Sequence, residues 1–577
     1  MRTDHEVYRF GEFVLDAGEH RLLRKSREVT LRPKAFATLH YLVERHGHTV
    51  GRHELLGAVW PGTYVSEAVL THCITEIRQA LQDDARAPRY LKTLPKVGYC
   101  FAADVRSTQA GAVTSAVVGA LPGHSSASVI AVLPFADLNR DEANEIFSDG
   151  LTEELINALT RVEGIQVVAR TSAFRFKGKT GDARAIAAQL GARAILEGSV
   201  RRADGRLRIT AQLIDAADGC HLWSQHYDRR MQDVFALQDE IARSIAGALR
   251  IRLTSSTIAR PYGTDLDTYT LYLEGRHHWN KRTPAGFLKA VECFERALVR
   301  DARLASAWAG LADCYSWMGT QAGMPAEEAA RKAKSAAQRA LEVDSNLAEA
   351  HTSLGVVAAA LEYDWAGAET HFRRALASNP NHASAHLMYA ASVLGPAGRI
   401  DEALVHQLRA WELDPLSAIM AGAVATQSMM MRRYDEAISR CRRALELDPT
   451  YPWAYRVLGE ANLLKGLYEE AEKALSRTDA PLLVGGFLGY CQARTGREAQ
   501  ARQLLLRLAG MNNPTLAYQI AVLHLGLGEG DLALEWLRKA CDAHSMGIFW
   551  LKIEPIWDTL RPDPRFSALL QQLRLAD

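Results

Sequence analysis

The chain carries almost no net charge: its 577 residues hold 68 Lys and Arg against 67 Asp and Glu, leaving +1. That balance excludes a polybasic chain held on nucleic acid or an anionic membrane by bulk charge, so any such affinity must come from local placement. Paired cysteines are missing as well. The eight cysteines, at 73, 100, 220, 293, 314, 441, 491 and 541, form no CxxC pair and have no suitably spaced histidine. No zinc site or disulfide framework is read from them; isolated cysteines suit small buried apolar residues in a reducing compartment. The start, "MRTDHEVYRFGEF", has no basic segment running into an apolar one, so no signal peptide is read and the cytoplasm is the expected location. Long apolar runs are also lacking. The nearest is "AGAVTSAVVGAL" (Ala110–Leu121), inside a stretch from Ser107 to Ala136 without a charged residue. Its small residues, followed at once by Pro122 and Gly123, fall short of the roughly 20 strongly apolar residues of a spanning helix and read as a flexible linker.

What is present divides into several domains, since the length exceeds what one hydrophobic core can serve. Residues 5–104 open with apolar–polar alternation in "YRFGEFVLDAGEHRLLRKSREVTL", which predicts a small antiparallel sheet. Helical periodicity follows in "RPKAFATLHYLVERHG", where Phe36, Leu39, Leu42 and Val43 share a face, and a second short helix in "RHELLGAVW" ends at Pro61-Gly62. A third helix spans "VSEAVLTHCITEIRQAL" (Val65–Leu81), and "RYLKTLPKVGYCFAA" reads as a hairpin turning near Pro95-Lys96. Residues 128–254 alternate strands and helices: "VIAVLPF", "NEIFSDGLTEELINALTRV", "IQVVAR", "DARAIAAQLG", then two strands joined across Asp204-Gly205, an α/β pattern. Residues 262–577 repeat. Alanines recur at 297, 340, 375, 410 and 444, and a small residue stands seven positions before each, the theme continuing at Ala471, Ala501 and Ala533. A period near 34 residues, with Pro380, Pro415 and Pro449 opening the next loop, predicts stacked helical pairs. The closing "IEPIWDTLRPDPRFSALLQQLR" reads as the cap such a stack needs.

These segments carry family resemblances. "LRPKAFATLHYLVERHG", "LLGAVWPGTYVSEAVLTHCITEIRQAL" and "YLKTLPKVGYCF" resemble the winged helix-turn-helix of OmpR/PhoB-type transcription factors, in particular the CadC/ToxR-like branch. The sentence from "IAVLPFADL" to "FALQDEIA" resembles a TolB-like domain, and the 34-residue period matches tetratricopeptide repeats. The expected fold class is multidomain: an α+β winged helix-turn-helix at 1–104, a linker at 105–127, an α/β TolB-like domain at 128–254 and an all-α tetratricopeptide solenoid at 262–577.

On a helical wheel Leu70, Ile74, Ile77 and Leu81 form one core-facing stripe. The opposite face shows Glu67, Ala68, Thr71, His72, Thr75, Glu76, Arg78 and Gln79, with Ser66 placed to cap the start. Periodicity alone allows an ordinary packing helix with a solvated face. Short polar side chains, however, are what base edges require, while cations serve the phosphates. Arg32, Lys34, Arg86, Arg89, Lys92 and Lys96 supply those nearby. The resemblance implies that Thr71, His72 and Glu76 face the major groove, that Thr75 and Arg78 lie near the backbone, and that Lys96 sits at the wing tip. Gln79, Arg89 and Lys92 complete the expected DNA contacts. Glu76 and Cys100 depart from the family, which often has basic residues there. The resemblance also makes Trp60, Gly62, Thr63 and Tyr64 a candidate RNA polymerase contact; a buried aromatic closing the helix pair is the other reading.

No enzyme, cofactor or metal is expected. "AFRFKGKT" (Ala173–Thr180) ends like a phosphate loop, but Ala173 stands where that motif needs glycine and Gly181-Asp182 separates the lysine from the next helix. Adjacent His277-His278 point about 100° apart on a helix and lack a spaced partner ligand. No Gly-x-Ser-x-Gly elbow occurs. The expected function is a cytoplasmic regulator binding promoter DNA, as a dimer if two half-sites are used, with a protein or peptide partner on the concave face of the repeats and no membrane. Two alternatives stand beside it: a scaffold built on the repeats, and a membrane-tethered CadC-like sensor.

Overall fold

The computed structural model describes residues 6–11, 13–16, 21–24, 27–29, 31–46, 49–59, 67–84, 88–94, 98–103, 105–109, 128–139, 142–160, 162, 164–179, 181–203, 206–230, 234–249, 265–321, 324–545 and 547–575. The chain forms two compact units, Met1–Pro122 and Gly123–Asp577.

In the first unit β1 (Glu6–Phe10), β2 (Phe13–Asp16), β3 (Arg21–Arg24) and β4 (Arg27–Val29) make an antiparallel meander. Then come α1 (Pro33–Glu44), β5 (Thr49–Gly51), α2 (Arg52–Val59) and α3 (Glu67–Leu81). β6 (Leu91–Leu94) and β7 (Gly98–Phe101) pair as a hairpin, with β5 on the far side of β7. A further strand, β8 (Arg106–Gln109), pairs antiparallel with β1. Sequence reading placed those four residues in the linker; they extend the first sheet instead. The rest of the expected linker, 110–127, lies outside the described residues. The predicted stripe is the core face: Leu70, Ile74, Ile77 and Leu81 are buried with Phe36, Leu39, Leu42 and Val43. The sheet is tied to the hairpin by rings, Phe10 against Phe101 at 4.9 Å and Phe13 against Tyr90 at 5.6 Å. Gly11 turns β1 into β2 at φ +53, and a Cβ there would stand 2.4 Å from the Tyr90 hydroxyl. Buried Asp83 then fixes the entry to β6, its carboxylate accepting from the backbone N–H of Arg89 (2.6 Å), Tyr90 (3.1 Å) and Leu91 (2.9 Å).

The second unit opens with β9 (Ser128–Val132), β10 (Ala136–Asp137), α4 (Glu142–Thr160), β11 (Ile165–Val167), α5 (Arg170–Ala173), α6 (Ala183–Leu190), β12 (Ala194–Ala203), β13 (Arg206–Asp215), β14 (His221–Arg230) and α7 (Val234–Ala248). The sheet order is β11-β9-β12-β13-β14, with β9 parallel to its neighbours and β12, β13 and β14 antiparallel. Sequence reading did not identify β14. Much of that edge strand is exposed, with Tyr227 its buried residue, so no apolar alternation marks it.

Eight helical pairs follow, from Leu266–Asn280 with Pro284–Arg300 to Ala517–Gly526 with Gly530–Asp542. The recurring alanines are the contacts that let the helices approach: Ala290, Ala333, Ala368, Ala403, Ala437, Ala471, Ala501 and Ala533 have no exposed surface. At the second recurrence the carbonyls of Ala297, Ala340, Ala375, Ala410 and Ala444 each accept the N–H of the Asp or Asn that ends the helix, at 2.8–3.0 Å. Four of those five residues, Asp301, Asp344, Asn379 and Asp448, fold their side chains onto the N–H two residues on. The fifth, Asp414, instead accepts the Ser172 hydroxyl of α5 at 2.5 Å.

That exchange is part of a wide contact between the α/β layer and the repeats. One core runs from Phe147, Leu151 and Leu155 through Tyr269 and Leu273 to Phe294. A second joins Ile186, Leu190 and Ile195 to Leu416, Ala421 and Ala444. Gly150 allows the first approach, since a Cβ there would meet the Leu273 side chain at 2.6 Å. Polar contacts reinforce it: Glu153 pairs with Arg276 (2.6 Å) and Arg170 (2.9 Å), and Arg175 donates to the carbonyls of Leu416 and Leu447. The end of the chain folds back as well: the Trp550 indole donates to Ala391 O, that of Trp365 to Leu573 O, and Arg432 pairs with Asp558.

Successive repeats carry matching histidine pairs, His351 with His371 and His386 with His406, with Nδ1 atoms 3.2 and 2.7 Å apart. Nε2 of His351 and of His386 meets a backbone carbonyl, Ser345 O and Pro380 O. Burial pushes the pKa of His386 down to about 3 and that of His406 to about 4. Both rings are therefore neutral in the fold, and their contribution is complete above the unfolded value of about 6.5 and is lost as pH falls toward 4. From pH 7.5 to 5.5 each ring should cost about 1 kcal/mol, read as a lower urea midpoint. His406→Gln should reduce that drop, and an unchanged drop would contradict the assignment. Asp83→Ala should destabilise the hairpin by about 2–4 kcal/mol, since it orphans backbone donors. Hydrogen exchange at the Arg89, Tyr90 and Leu91 amides measures this directly; unaltered protection there would refute the role.

Candidate nucleic-acid interface

Helix α3 forms as an amphipathic element: its apolar stripe is buried, and what remains is a polar face framed by α1 and the β6–β7 hairpin. Thr71, His72, Thr75 and Gln79 are exposed on that face. The Thr75 hydroxyl donates to Thr71 O at 2.9 Å, which holds its rotamer.

Two predicted contact residues have partners within the fold. Glu76 accepts the backbone N–H of Arg32 at 2.8 Å, and its other oxygen lies 3.3 Å from Arg32 Nε. It thereby satisfies an orphan donor at the start of α1 and offsets an exposed guanidinium. Arg32 also reaches His72 Nε2 at 3.4 Å. The carboxylate at a position where the family often has a base is therefore matched by a cation from another helix. Arg78 donates from one guanidinium nitrogen to Leu91 O (3.0 Å) and Thr93 Oγ1 (2.8 Å), tying α3 to β6. Lys34 donates to Val59 O at 2.7 Å and links α1 to the end of α2.

On the hairpin side Arg89 and Lys92 are exposed, Arg89 lying 5.5 Å from the Tyr90 ring centroid. Lys96, Arg86 and Ser66, and the candidate polymerase loop at Trp60, Gly62, Thr63 and Tyr64, lie outside the described residues. Sequence reading missed Asp83, which positions the hairpin: nothing in "LQDDARAP" separates a buried, triply bonded aspartate from its solvated neighbour.

Away from this unit, the Gly178-Lys179-Thr180 stretch follows a short 3₁₀ turn, Phe174–Phe176, rather than a strand. The next helix begins at Ala183, capped by Asp182. Lys177 is held by Glu145 and Asp149, each at 2.7 Å. Among the described residues no group of three or more His, Cys, Asp or Glu is placed to hold a metal, and no helix is long and apolar enough to cross a membrane.

Residues 26–101 match the family "Transcriptional regulatory protein, C terminal". Residues 126–244 match the second domain of HilA/YgeH-like transcriptional regulators, and 364–418 and 428–482 match tetratricopeptide repeats. A protein of Rhizobium meliloti named "Putative adenylate cyclase 3" is 42% identical over 185 residues, 32% of each chain. The transcriptional regulator HilA of Salmonella typhimurium is 26% identical over 421 residues, 72% of each chain. The transcriptional activator CadC of Escherichia coli is 34% identical over 94 residues, 16% of this chain and 18% of CadC. The solved DNA-binding domain of CadC is 30% identical, covering 18% of this chain and 99% of that one at a TM-score of 0.17. The chain thus spans about a third of the length of the first of these relatives and 72% of HilA. It carries an OmpR/PhoB-type winged-helix DNA-binding domain joined to tetratricopeptide repeats, and its homologues include transcriptional regulators of the HilA and CadC type.

Proposed function

We propose that the chain is a sequence-specific, cytoplasmic transcriptional regulator that binds promoter DNA through α3 and the hairpin. The observation that carries this reading is the exposed polar face of Thr71, His72, Thr75 and Gln79, flanked by Arg32, Arg89 and Lys92, in a domain whose family binds DNA. Side chains of that size and polarity suit base edges, and the flanking cations suit phosphates. In this reading Arg78 and Glu76 chiefly set the pose of α3, Lys96 approaches the minor groove, and the Trp60–Tyr64 loop meets RNA polymerase. The domain division is that read from sequence, with β8 added to the first domain; residues 128–254 are TolB-like. They and the repeats regulate promoter binding or polymerase contact by engaging a protein or peptide partner. That partner is confined to the inner surface of the repeats that the α/β layer leaves open. Two half-sites would be bound by a dimer.

Selection of bound fragments from a random DNA pool, at two salt concentrations, tests the reading. The full chain should enrich one motif, and a Thr71→Ala, His72→Ala, Gln79→Ala variant should lose it. Each lost base contact should cost about 1–3 kcal/mol. Lys92→Ala should weaken all sequences alike and lower the salt slope by about one unit. Enrichment of the same motif by the triple variant, or of no motif by the parent, would sink the proposal.

A further inference from the structure

Between the α/β layer and the first helices of the leading repeats lies a cavity of about 1250 Å³. That exceeds the roughly 300–1,000 Å³ of a typical small-molecule site, so it admits a metabolite together with water. Charged groups line it, and three of its five arginines have a carboxylate. Arg276 and Arg170 share Glu153, and Arg300 is held by Asp265 and Asp267.

Arg282 differs. It lines the cavity, is exposed, and its side chain makes no hydrogen bond or ion pair among the described residues. Its guanidinium lies 3.6 Å from the Trp279 ring centroid and 4.9 Å from that of Trp317. Stacking of this kind fixes the plane of the fork while leaving its N–H edge open to a bidentate partner. The residue follows the C-cap of its helix with a left-handed backbone, φ +52, as several other helix ends of this chain do. The indole N–H of Trp279, which also borders the cavity, is buried without a hydrogen-bond partner among the described residues.

Near Arg282 the lining carries Arg276, Glu153 and Asp313, and Asp313 accepts the Ser353 hydroxyl at 2.5 Å.

We infer that this cavity is a binding site for a small metabolite bearing an oxyanion, carboxylate or phosphate, gripped at its charged end by Arg282 between Trp279 and Trp317. The site is independent of DNA binding and stands or falls without it.

Titration of the full chain, without DNA and at fixed ionic strength, with inorganic phosphate and separately with citrate tests this by calorimetry and tryptophan fluorescence. One or both probes should saturate at one per chain. Phosphate alone marks a phosphate ester as the ligand class, and citrate alone a carboxylate. Binding should weaken at least tenfold in Arg282→Gln and by less in Arg282→Lys, which keeps the charge without the fork. Arg339→Gln, altering an exposed guanidinium outside the cavity lining, should bind as the parent does. Thermal unfolding without probe checks that Arg282→Gln is folded; if it is not, Arg282→Lys carries the comparison. Saturation by neither probe, or binding as tight in the Arg282 variants as in the parent, would overturn the site.

Discussion

The second unit depends on one constraint: β9, β11 and the start of β12 are apolar on both faces, and neither face can be left in water. Helices α4 and α7 cover one face and α6 the other, and the repeats close both cores. Tyr269, Leu273 and Phe294 complete the first core, and Leu416, Ala421 and Ala444 complete the second. At about 25 cal/mol per Å² of apolar surface, such burial outweighs any single polar contact along the same seam. The repeats gain equally, since a helical pair cannot bury its own inner face. Layer and solenoid are one body because each supplies the other's missing wall.

This shared core shapes what a ligand can do. A bound molecule between the layer and the repeats meets both at once, so its binding energy acts on their packing rather than on one surface patch. The polar residues at the seam show the same division of labour. Glu153 and Asp414 sit at positions where a solitary charge would be costly, and each is paired across the boundary, with Arg170 and Arg276 or with Ser172. The Arg282 guanidinium has no such partner among the described residues and lies over the Trp279 and Trp317 rings instead.

The first unit follows a different economy. Helix α3 leaves small uncharged side chains outward and uses two of its charged ones internally, Glu76 on Arg32 and Arg78 on β6. Orientation of the helix is therefore fixed by the same residues that a charge count would assign to the ligand. Affinity for an anionic surface then rests on few exposed cations, Arg32, Arg89 and Lys92 among them, consistent with a nearly neutral chain.

Local pattern determined much of this protein. The stripe of Leu70, Ile74, Ile77 and Leu81, the hairpin after it, and the alanines recurring at 34 or 35 residues after a first step of 43 are statements about local pattern, which is carried by neighbouring residues in the chain. The exposed strand β14 escaped because its burial contrast is small. What only the tertiary structure decided are the long-range assignments. Glu76 lies 44 residues from Arg32, Ser172 lies 242 from Asp414, and Glu153 lies 123 from Arg276. Whether a charge is a site or a brace depends on which partner the fold delivers, and no spacing within a helix encodes it. The α/β region and the repeats pack within one compact unit for the same reason: amphipathic pattern says that a face must be buried, and only the assembled fold says against what.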